Sequence, residues 1–474
     1  MSFTPYLSSI VEALVKRVHP HIADTRARDA LEACVRALAG IGAAVQTSSD
    51  TDVDALTLPP GVAASATPMR INEPPENLAA NDQTASRLIA AEAWISSQDW
   101  LGDAAANRNA KAMLRWERDT IAGKLAWMRA LENSTPTSDG DTAKLQIERD
   151  ALERYLQHRY GENARVTEFR QTVGGRSRQT AVFSLEGTEL PGKLVVQRDH
   201  PASISPNGIA RQFPVLQLLS KTRLKVSRPV LLETDRAFLG APFMIVEAAA
   251  GTVAGADYFQ PPNVPELACE LAEQLAILHS ADPTSLLSTL QITTDRADPR
   301  GWSIELDALQ AAWQKLAHAP SLNVSAAFAW MHAHVHRIGD ELSIVHNDAA
   351  FHNILVENGH FSSLLDFELV HLGHPAEDLG YCRAFVQEMT DWDGFIDAYV
   401  AAGGKRYETD VLDYFSLRGG VHLLTLLQYG RSIFKSGATT DINLVEVATS
   451  FIPKQHGRVA RMVDIVLARA KTQA

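Results

Sequence analysis

The chain is poor in cysteine, and its few cysteines are far apart. Only three occur in 474 residues, at Cys34, Cys269 and Cys382. An odd number at such wide spacing argues against a disulfide framework and against a CxxC metal site. Because this cysteine usage is typical of proteins kept in a reducing compartment, we expect a cytoplasmic location.

Basic residues and long apolar runs are also scarce. Lys and Arg number 44 against 56 Asp and Glu, which gives a formal net charge of -12. This balance argues against a nucleic-acid partner, because neutralising phosphates requires a basic face. No run approaches the ~18 apolar residues of a membrane span, and the N-terminus lacks the basic and apolar regions of a signal peptide. We therefore expect no membrane partner either.

The chain does have an ordinary globular composition, 46% hydrophobic and 21% charged, and a length that suits two or three domains. Apolar residues at helical spacing predict an all-helical N-terminal domain over residues 1–135. The run Asn133–Thr142, rich in Ser, Thr and Asp, is a candidate linker. This domain carries no recognisable chemistry of its own, and we expect it to be the part through which a homodimer would form.

After the linker the pattern changes to short β-type segments, with one helix at about Gly208 to Ser220 and mostly helices from Pro265 onward. The predicted strands are Arg165–Arg170, Thr180–Leu185, Lys193–Gln197, Val230–Glu233 and Phe243–Glu247. This order predicts an α+β fold of two lobes. A five-stranded antiparallel N-lobe would occupy residues 143–248, and a helical C-lobe residues 249–474.

The segment Val345–Tyr381 concentrates the residues that can carry chemistry. Asp348 and Asn353 share one loop, and Asp366 follows a predicted hairpin over Ile354–Leu365. Because a hairpin returns the chain beside its start, the three side chains can converge on one site. Their oxygens suit Mg²⁺ rather than zinc or copper. A carboxylate near an attacking hydroxyl, with oxygen ligands that hold Mg²⁺ against nucleotide phosphates, is what phosphoryl transfer requires.

In this segment the chain resembles the aminoglycoside phosphotransferase family, kinase-like enzymes that include choline-kinase-type and hydroxyacyl-CoA-type small-molecule kinases. The family's His-x-Asp-x4-Asn motif lies at His346, Asp348 and Asn353, and its Asp-x-(Asp/Glu) pair lies at Asp366 and Glu368. The resemblance implies that Asp348 is the catalytic base and that His346 positions the loop. It also implies that Asn353, Asp366 and Glu368 bind magnesium.

The resemblance extends from about Val166 to Tyr381. It implies a protein-kinase-like fold, here preceded by the helical N-terminal domain, and ATP and Mg²⁺ as cofactors. The implied function is a phosphotransferase that phosphorylates a hydroxyl of a small molecule. The sequence pattern of the helical lobe favours an alcohol or a hydroxyacyl compound as the substrate over an aminoglycoside.

Several segments are expected to meet the nucleotide. Val173–Ser177 resembles the family's phosphate-covering loop, since glycines allow close backbone approach. Gly240–Glu247 is similar to the strand that enters the hinge between the lobes. The implied nucleotide-binding residues are Gly174, Gly175, Ser177, Arg178, Gln197, Arg198, Gln212, Glu247 and Ala249.

The sequence departs from the family at the cation that grips the phosphates. The third strand usually carries a Lys or Arg that pairs with a Glu of the following helix, and here these positions hold Gln197 and Gln212. Arg198 or Arg178 could supply the missing charge; otherwise nucleotide binding is weak or altered. The alternative function is a nucleotide-binding pseudokinase or scaffold, in which this change has ended catalysis.

Two further sets of residues are better explained by structure than by catalysis. Asp378 lies in a segment similar to one in which the family's acid anchors structure, and His279 lies in a helix where the family's histidine is structural. His332 and His336 are four residues apart and could share a helix face, but no nearby carboxylate completes a metal site.

Overall fold

The computed structural model describes residues 34, 82–97, 100–132, 147–171, 178–190, 192–199, 208–255, 262, 264–287, 301–317, 319–435 and 451–469. The chain divides into two compact units. One comprises Met1–Gly140, Arg296–Ile338 and Ser416–Ala474, and the other comprises Asp141–Asp295 and Gly339–Phe415. This division differs from the predicted boundaries, because residues 296–338 and 416–474 share a unit with the N-terminal helices. Residues 1–33 and 35–81 of the predicted N-terminal domain lie outside the described residues.

Helices and short strands make up most of the described chain. The helices are α1 (Asp82–Ser96), α2 (Ala104–Glu132), α3 (Arg149–Tyr160), α4 (Ile209–Leu219), α5 (Arg236–Leu239), α6 (Pro265–His279), α7 (Gly301–Leu316), α8 (Leu322–His334), α9 (Ala376–Val386), α10 (Trp392–Ala401), α11 (Thr409–Lys435) and α12 (Ile452–Arg469). The strands are β1 (Arg165–Gln171), β2 (Arg178–Glu186), β3 (Lys193–Asp199), β4 (Pro229–Glu233), β5 (Phe243–Glu247), β6 (Thr252–Val253), β7 (Ser343–Val345), β8 (Ile354–Glu357), β9 (His360–Leu364) and β10 (His371–Gly373). Within the described ranges, none of these helices has the length and apolar character needed to cross a membrane.

A five-stranded antiparallel sheet forms one part of the second unit, in the order β1-β2-β3-β5-β4. All five predicted strands and the inserted helix are confirmed, with ends that shift by no more than two residues. The segments between them are short and carry turn residues. Local patterning was therefore enough to place each strand.

Side chains alternate along β3, and the two faces of the sheet lie against different helices. Leu194 and Val196 join an apolar core with residues of α3. Since successive side chains of a strand point to opposite faces, Gln197 and Asp199 lie on the other face. There the Asp199 carboxylate accepts a hydrogen bond from the Ile209 N–H at 3.1 Å, at the start of α4. We call the face that carries Leu194 and Val196 the α3 face, and the face that carries Gln197 and Asp199 the α4 face.

Two small sheets position the loops of the helical lobe. β7 pairs with β10 in antiparallel fashion, and β8 pairs with β9 as the predicted hairpin. The hairpin turn holds Asn358 and Gly359 at φ angles of 52° and 84°. A two-residue turn with both φ angles positive suits the twist of the flanking strands, which is why Asn-Gly favours a hairpin. The predicted hairpin is confirmed.

Two carboxylates from the N-terminal helices cap α8 in the first unit. Glu117 accepts hydrogen bonds from the N–H groups of Leu322 at 2.9 Å and Asn323 at 2.6 Å, and Glu92 accepts one from Ser321 at 3.1 Å. These N–H groups have no partner within the helix, so the carboxylates satisfy them and complement the helix dipole. Burial raises the pKa of Glu92 and of Glu117. Long-range capping thus helps to explain why residues 82–132 fold with residues 296–338.

Candidate active site

A buried carboxylate holds the loop that follows β7. Asp378, in the first turn of α9, is fully buried. It accepts hydrogen bonds from the N–H groups of Asn347 at 2.6 Å and His346 at 2.8 Å. Its second oxygen also lies 3.1 Å from His279 Nε2, while His279 Nδ1 lies 2.8 Å from the Tyr399 hydroxyl. The Asp378 carboxylate therefore anchors the loop by binding the loop's backbone N–H groups, and His279 orients that carboxylate.

Asp348 lies in this loop with both carboxylate oxygens engaged. Oδ1 accepts a hydrogen bond from the Tyr381 hydroxyl, and Oδ2 accepts one from Asn353 Nδ2 at 2.9 Å. His352 Nε2 lies 3.7 Å from Oδ2, and 15% of the Asp348 side chain is exposed. Burial by itself raises the pKa of Asp348, but the His352 imidazole and the Tyr381 hydroxyl outweigh it and hold that pKa below its ordinary value. Asp348 is thus an oriented anion that solvent can reach.

His346 connects the two segments that carry the acids. Its Nδ1 accepts a hydrogen bond from the Asp348 N–H at 3.2 Å, and its Nε2 lies 2.8 Å from the Leu365 carbonyl, next to Asp366. These partners suit an imidazole with its proton on Nε2. The ring also packs edge-on against Phe367, with centroids 4.7 Å apart. His346 therefore sets the position of one acid relative to the other.

Asp366 has an unusual backbone and a carboxylate oxygen that makes no hydrogen bond. Its φ and ψ angles of 58° and 71° are left-handed, which is uncommon for a residue other than glycine. Oδ1 is buried and has no hydrogen-bond partner among the described residues. Burial raises the pKa of Asp366; the charge of Arg178 opposes that shift, and the charge of Asp348 adds to it. A buried, unsatisfied carboxylate oxygen is costly unless a cation approaches it.

The residues around Asp366 fit a magnesium ion in type and number. Asn353 directs its Nδ2 to Asp348, so Oδ1 is the atom that it could offer to a cation. Glu368 lies two residues after Asp366 in a half-buried 3-10 turn, Phe367–Leu369. Within the described part of the chain, no three or more His, Cys, Asp or Glu side chains cluster as metal ligands. Mg²⁺ commonly uses one or two protein carboxylates together with substrate phosphates and water, so two or three oxygens suffice.

The polar residues predicted to meet the nucleotide separate onto the two faces of the sheet. Arg178 lies on the α4 face and donates a hydrogen bond to Gln212 Oε1. Gln197 lies on the same face. Arg198 does not join them: it lies on the α3 face and donates to Gln179 and to a backbone carbonyl of α5. Alternation along β3 therefore places the adjacent Gln197 and Arg198 on opposite faces of the sheet.

The remaining predicted nucleotide contacts lie in two places. Gly174, Gly175 and Ser177 are outside the described residues. Glu247 ends β5, where its carboxylate pairs with Arg228. The Ala248 N–H donates to the Lys193 carbonyl at 3.1 Å, whereas the Ala249 N–H makes no hydrogen bond to any described residue. The Ala249 backbone donor is thus uncommitted at the end of this strand.

Comparison with known families bears directly on this site. The model of the "phosphotransferase enzyme family" (APH) matches residues 168–415, which is 248 of the 474 residues and slightly more than half of the chain. The matched range includes Asp348, Asn353, Asp366 and Asp378. The chain belongs to this family.

Two curated relatives match about half of the chain. Acyl-CoA dehydrogenase family member 11 of Mus musculus is 26% identical over 252 residues, which cover 50% of this chain and 31% of the relative. The Homo sapiens protein of the same name is 23% identical over 269 residues, covering 52% and 33%. The chain therefore spans about a third of the length of the curated relatives it matches.

The fold comparison agrees with the two-lobed prediction. A solved structure of an aminoglycoside phosphotransferase candidate from Ralstonia eutropha JMP134 is 18% identical, with a TM-score of 0.51, over 67% of this chain and 99% of that one. At this identity the likeness concerns the fold alone. The predicted fold class, an α+β two-lobed protein-kinase-like fold, is confirmed.

Two residues of the candidate site, Tyr381 and His352, were not singled out in the sequence. Tyr381 follows Asp378 by three positions on α9, so both side chains lie on one face of the helix and reach the same loop. His352 follows Asp348 by four positions, immediately before Asn353. In both cases spacing from a motif residue is the signal that could have identified them.

His374 predicts that the stability of the protein depends on pH. Its Nδ1 accepts a hydrogen bond from the Ala376 N–H at 3.1 Å at the start of α9, and its ring stacks on Phe415. Burial lowers the pKa of His374 to about 4, against the opposing charges of Glu341 and Glu377. In the unfolded chain the His374 ring takes up a proton near the ordinary pKa of histidine, whereas in the folded protein it stays neutral until about pH 4. His374 therefore stabilises the fold fully above the ordinary pKa, and this stability is lost as the pH falls towards about 4.

We expect acidification from pH 7 to pH 5 to remove about 2 kcal/mol of unfolding free energy through this residue. His374→Asn retains an N-capping acceptor that does not titrate, so it should lose less stability over the same interval. The measurement is urea-dependent amide hydrogen exchange of residues 343–386, which reports on this unit. Equal losses in both proteins would contradict the assignment.

Proposed function

We propose that the protein is an ATP- and Mg²⁺-dependent phosphotransferase that phosphorylates a hydroxyl of a small molecule. Family membership supplies the reaction class. The observation that carries the proposal is the joining of Asp348, Asn353 and Asp366 within one unit, through His346 and the Asn353 amide. Two carboxylates and an amide oxygen in this arrangement meet the needs of phosphoryl transfer, which depends mainly on positioning and electrostatics.

Asp348 is the proposed base. Its lowered pKa keeps it ionised at neutral pH, and its partial exposure lets an acceptor hydroxyl approach. Tyr381 and Asn353 each hold one carboxylate oxygen, so the side chain has little freedom to rotate. The role of Asp348 is to accept the hydroxyl proton as the oxygen attacks the phosphoryl group.

Asn353 and Asp366 are the proposed magnesium ligands, with Glu368 beside them. Asp366 Oδ1 is the strongest support, because it is buried and lacks a hydrogen bond within the described residues. When bound, Mg²⁺ neutralises charge on the nucleotide phosphates. The hydrogen bond from His346 to the Leu365 carbonyl ties the segment of Asp366 to the loop of Asp348, and the charge of Asp348 raises the pKa of Asp366.

The proposed adenine site is the end of β5, from Glu247 to Ala249. The uncommitted Ala249 N–H is the kind of backbone donor that a nucleobase edge requires. Gly174, Gly175 and Ser177 are proposed to cover the phosphates. ATP rather than GTP is the nucleotide to test first.

A hydroxyacyl compound or another alcohol is the proposed acceptor. The name of the curated relatives refers to acyl-CoA, which supports this choice. An aminoglycoside would require an acidic edge, and two of the acids at α10 already have partners within the protein. Asp391 caps α10 by accepting a hydrogen bond from the Gly394 N–H at 3.0 Å, and Asp397 pairs with Arg406.

The test is incubation with Mg-ATP and a panel of hydroxyacyl-CoA thioesters, simple alcohols, choline and an aminoglycoside. ADP release and a phosphorylated product seen by mass spectrometry are the readouts. We expect transfer to at least one hydroxyacyl or alcohol acceptor. Nucleotide binding without transfer to any acceptor would favour the pseudokinase instead, and preferential transfer to the aminoglycoside would overturn the acceptor assignment.

A further inference from the structure

The nucleotide side of the site lacks the expected cation at its expected place. Gln197 and Gln212 occupy the strand and helix positions where this family usually carries a Lys or Arg and a Glu. Neither amide can balance the charge of nucleotide phosphates. If the proposed function is right, another cation must reach the same place.

Arg178 is positioned to be that cation. It begins β2, lies opposite Asp199 of β3 in the sheet register, and so shares the α4 face with Gln197. Its residue exposure is only 6%. Its guanidinium donates to Gln212 Oε1, and its positive charge acts on the Asp366 carboxyl. Arg178 is therefore linked both to the helix position that normally holds the Glu and to a proposed magnesium ligand.

Resting on the proposed function, we propose that Arg178 is the phosphate-binding cation of this enzyme and that Gln212 is its positioning partner. In this arrangement the phosphate-binding cation lies on β2, whereas the family usually carries it on β3, and its partner lies on α4 as usual. The change from Glu to Gln is consistent with this arrangement. A neutral Gln212 accepts one N–H of the guanidinium and, unlike Glu, does not cancel its positive charge.

Arg198 provides the contrast, because it follows Gln197 on β3 but lies on the opposite face of the sheet. It lies on the α3 face, where its guanidinium donates to Gln179 and to the Leu239 carbonyl. Burial lowers the pKa of Arg198. Its hydrogen bonds hold it away from the residues that surround Asp366, so it should not contribute to phosphate binding.

Nucleotide affinity tests this assignment without an acceptor. Calorimetric titration of the full chain would compare Mg-AMP-PNP with adenosine, which shares the base but has no phosphate. Arg178→Gln should weaken AMP-PNP binding by about tenfold or more and leave adenosine binding unchanged. Arg178→Lys keeps the charge and should lose less, and Arg198→Gln should show no phosphate-dependent change. In the Arg178→Gln background, Gln197→Lys should restore part of the affinity.

The alternative outcomes separate a failure of the proposed function from a failure of the assignment of Arg178. A wild-type chain that binds no nucleotide overturns the proposed function and this inference together. Wild-type binding with unchanged AMP-PNP affinity in Arg178→Gln overturns only the assignment of Arg178. The assignment of Arg178 is also overturned if each Arg178 variant weakens the binding of adenosine as much as that of AMP-PNP. It is overturned as well if Arg198→Gln weakens the binding of AMP-PNP but not that of adenosine.

Discussion

Replacing Asp348 by Asn should lower the rate of phosphoryl transfer by about a hundredfold to ten-thousandfold, the usual contribution of a positioned general base. Asn matches Asp in size, and its amide oxygen can still accept a hydrogen bond. It cannot take the proton of the acceptor hydroxyl, so the loss should appear in kcat. Nucleotide binding should be unchanged, because Asp348 is not proposed to contact the phosphates.

Asp235→Asn is the matched control for this substitution. Asp235 lies in the same unit, is exposed, and caps α5 by accepting a hydrogen bond from the Ala237 N–H at 2.9 Å. Asn is also a good capping residue, so this variant should retain full activity. Transfer by Asp348→Asn at the rate of the control would show that Asp348 is not the base.

Replacing Asp378 by Ala should lower the unfolding free energy of its unit by about 3 kcal/mol or more. The substitution removes a fully buried carboxylate and leaves three buried donors without their acceptor: the N–H groups of His346 and Asn347, and the His279 ring. Activity should fall as well, because the loop that carries Asp348 loses its anchor. Asp378→Asn keeps one acceptor oxygen and should be milder.

The measurement for Asp378 is urea-dependent hydrogen exchange of residues 343–386, with Asp397→Ala as the control. Asp397 forms an exposed pair with Arg406, and exposed pairs contribute less than about 1 kcal/mol. Protection of the loop should collapse in Asp378→Ala and persist in the control. Equal protection in both variants would contradict the anchoring role.

Local patterns in the sequence predicted most of the second unit. The strands followed from runs of apolar and β-branched residues between turn segments, and the hairpin from Asn358-Gly359. The spacing of Asp348, Asn353 and Asp366 predicted that their side chains converge. The left-handed φ of 60° at Asn347 suits asparagine, which tolerates this conformation better than most residues with side chains.

Long-range pairings were beyond local patterns. The hydrogen bond between Arg178 and Gln212 depends on the register of β2 against β3 and on the seating of α4. The bond from Tyr381 to Asp348 depends on the angle at which α9 approaches the loop. The capping of α8 by Glu117 joins residues about two hundred positions apart, which is why the predicted domain boundaries and the compact units differ. Each of these is set by tertiary packing rather than by sequence period.

The central claim is that Asp348, Asn353 and Asp366 surround one magnesium–nucleotide site. Its most direct test is electron paramagnetic resonance of Mn²⁺ titrated into the full chain with and without AMP-PNP, which needs no knowledge of the acceptor. We expect nucleotide-dependent Mn²⁺ binding in the wild type and in Asp235→Asn, and binding weakened by about tenfold or more in Asp366→Asn. Unchanged Mn²⁺ binding in Asp366→Asn would contradict the central claim.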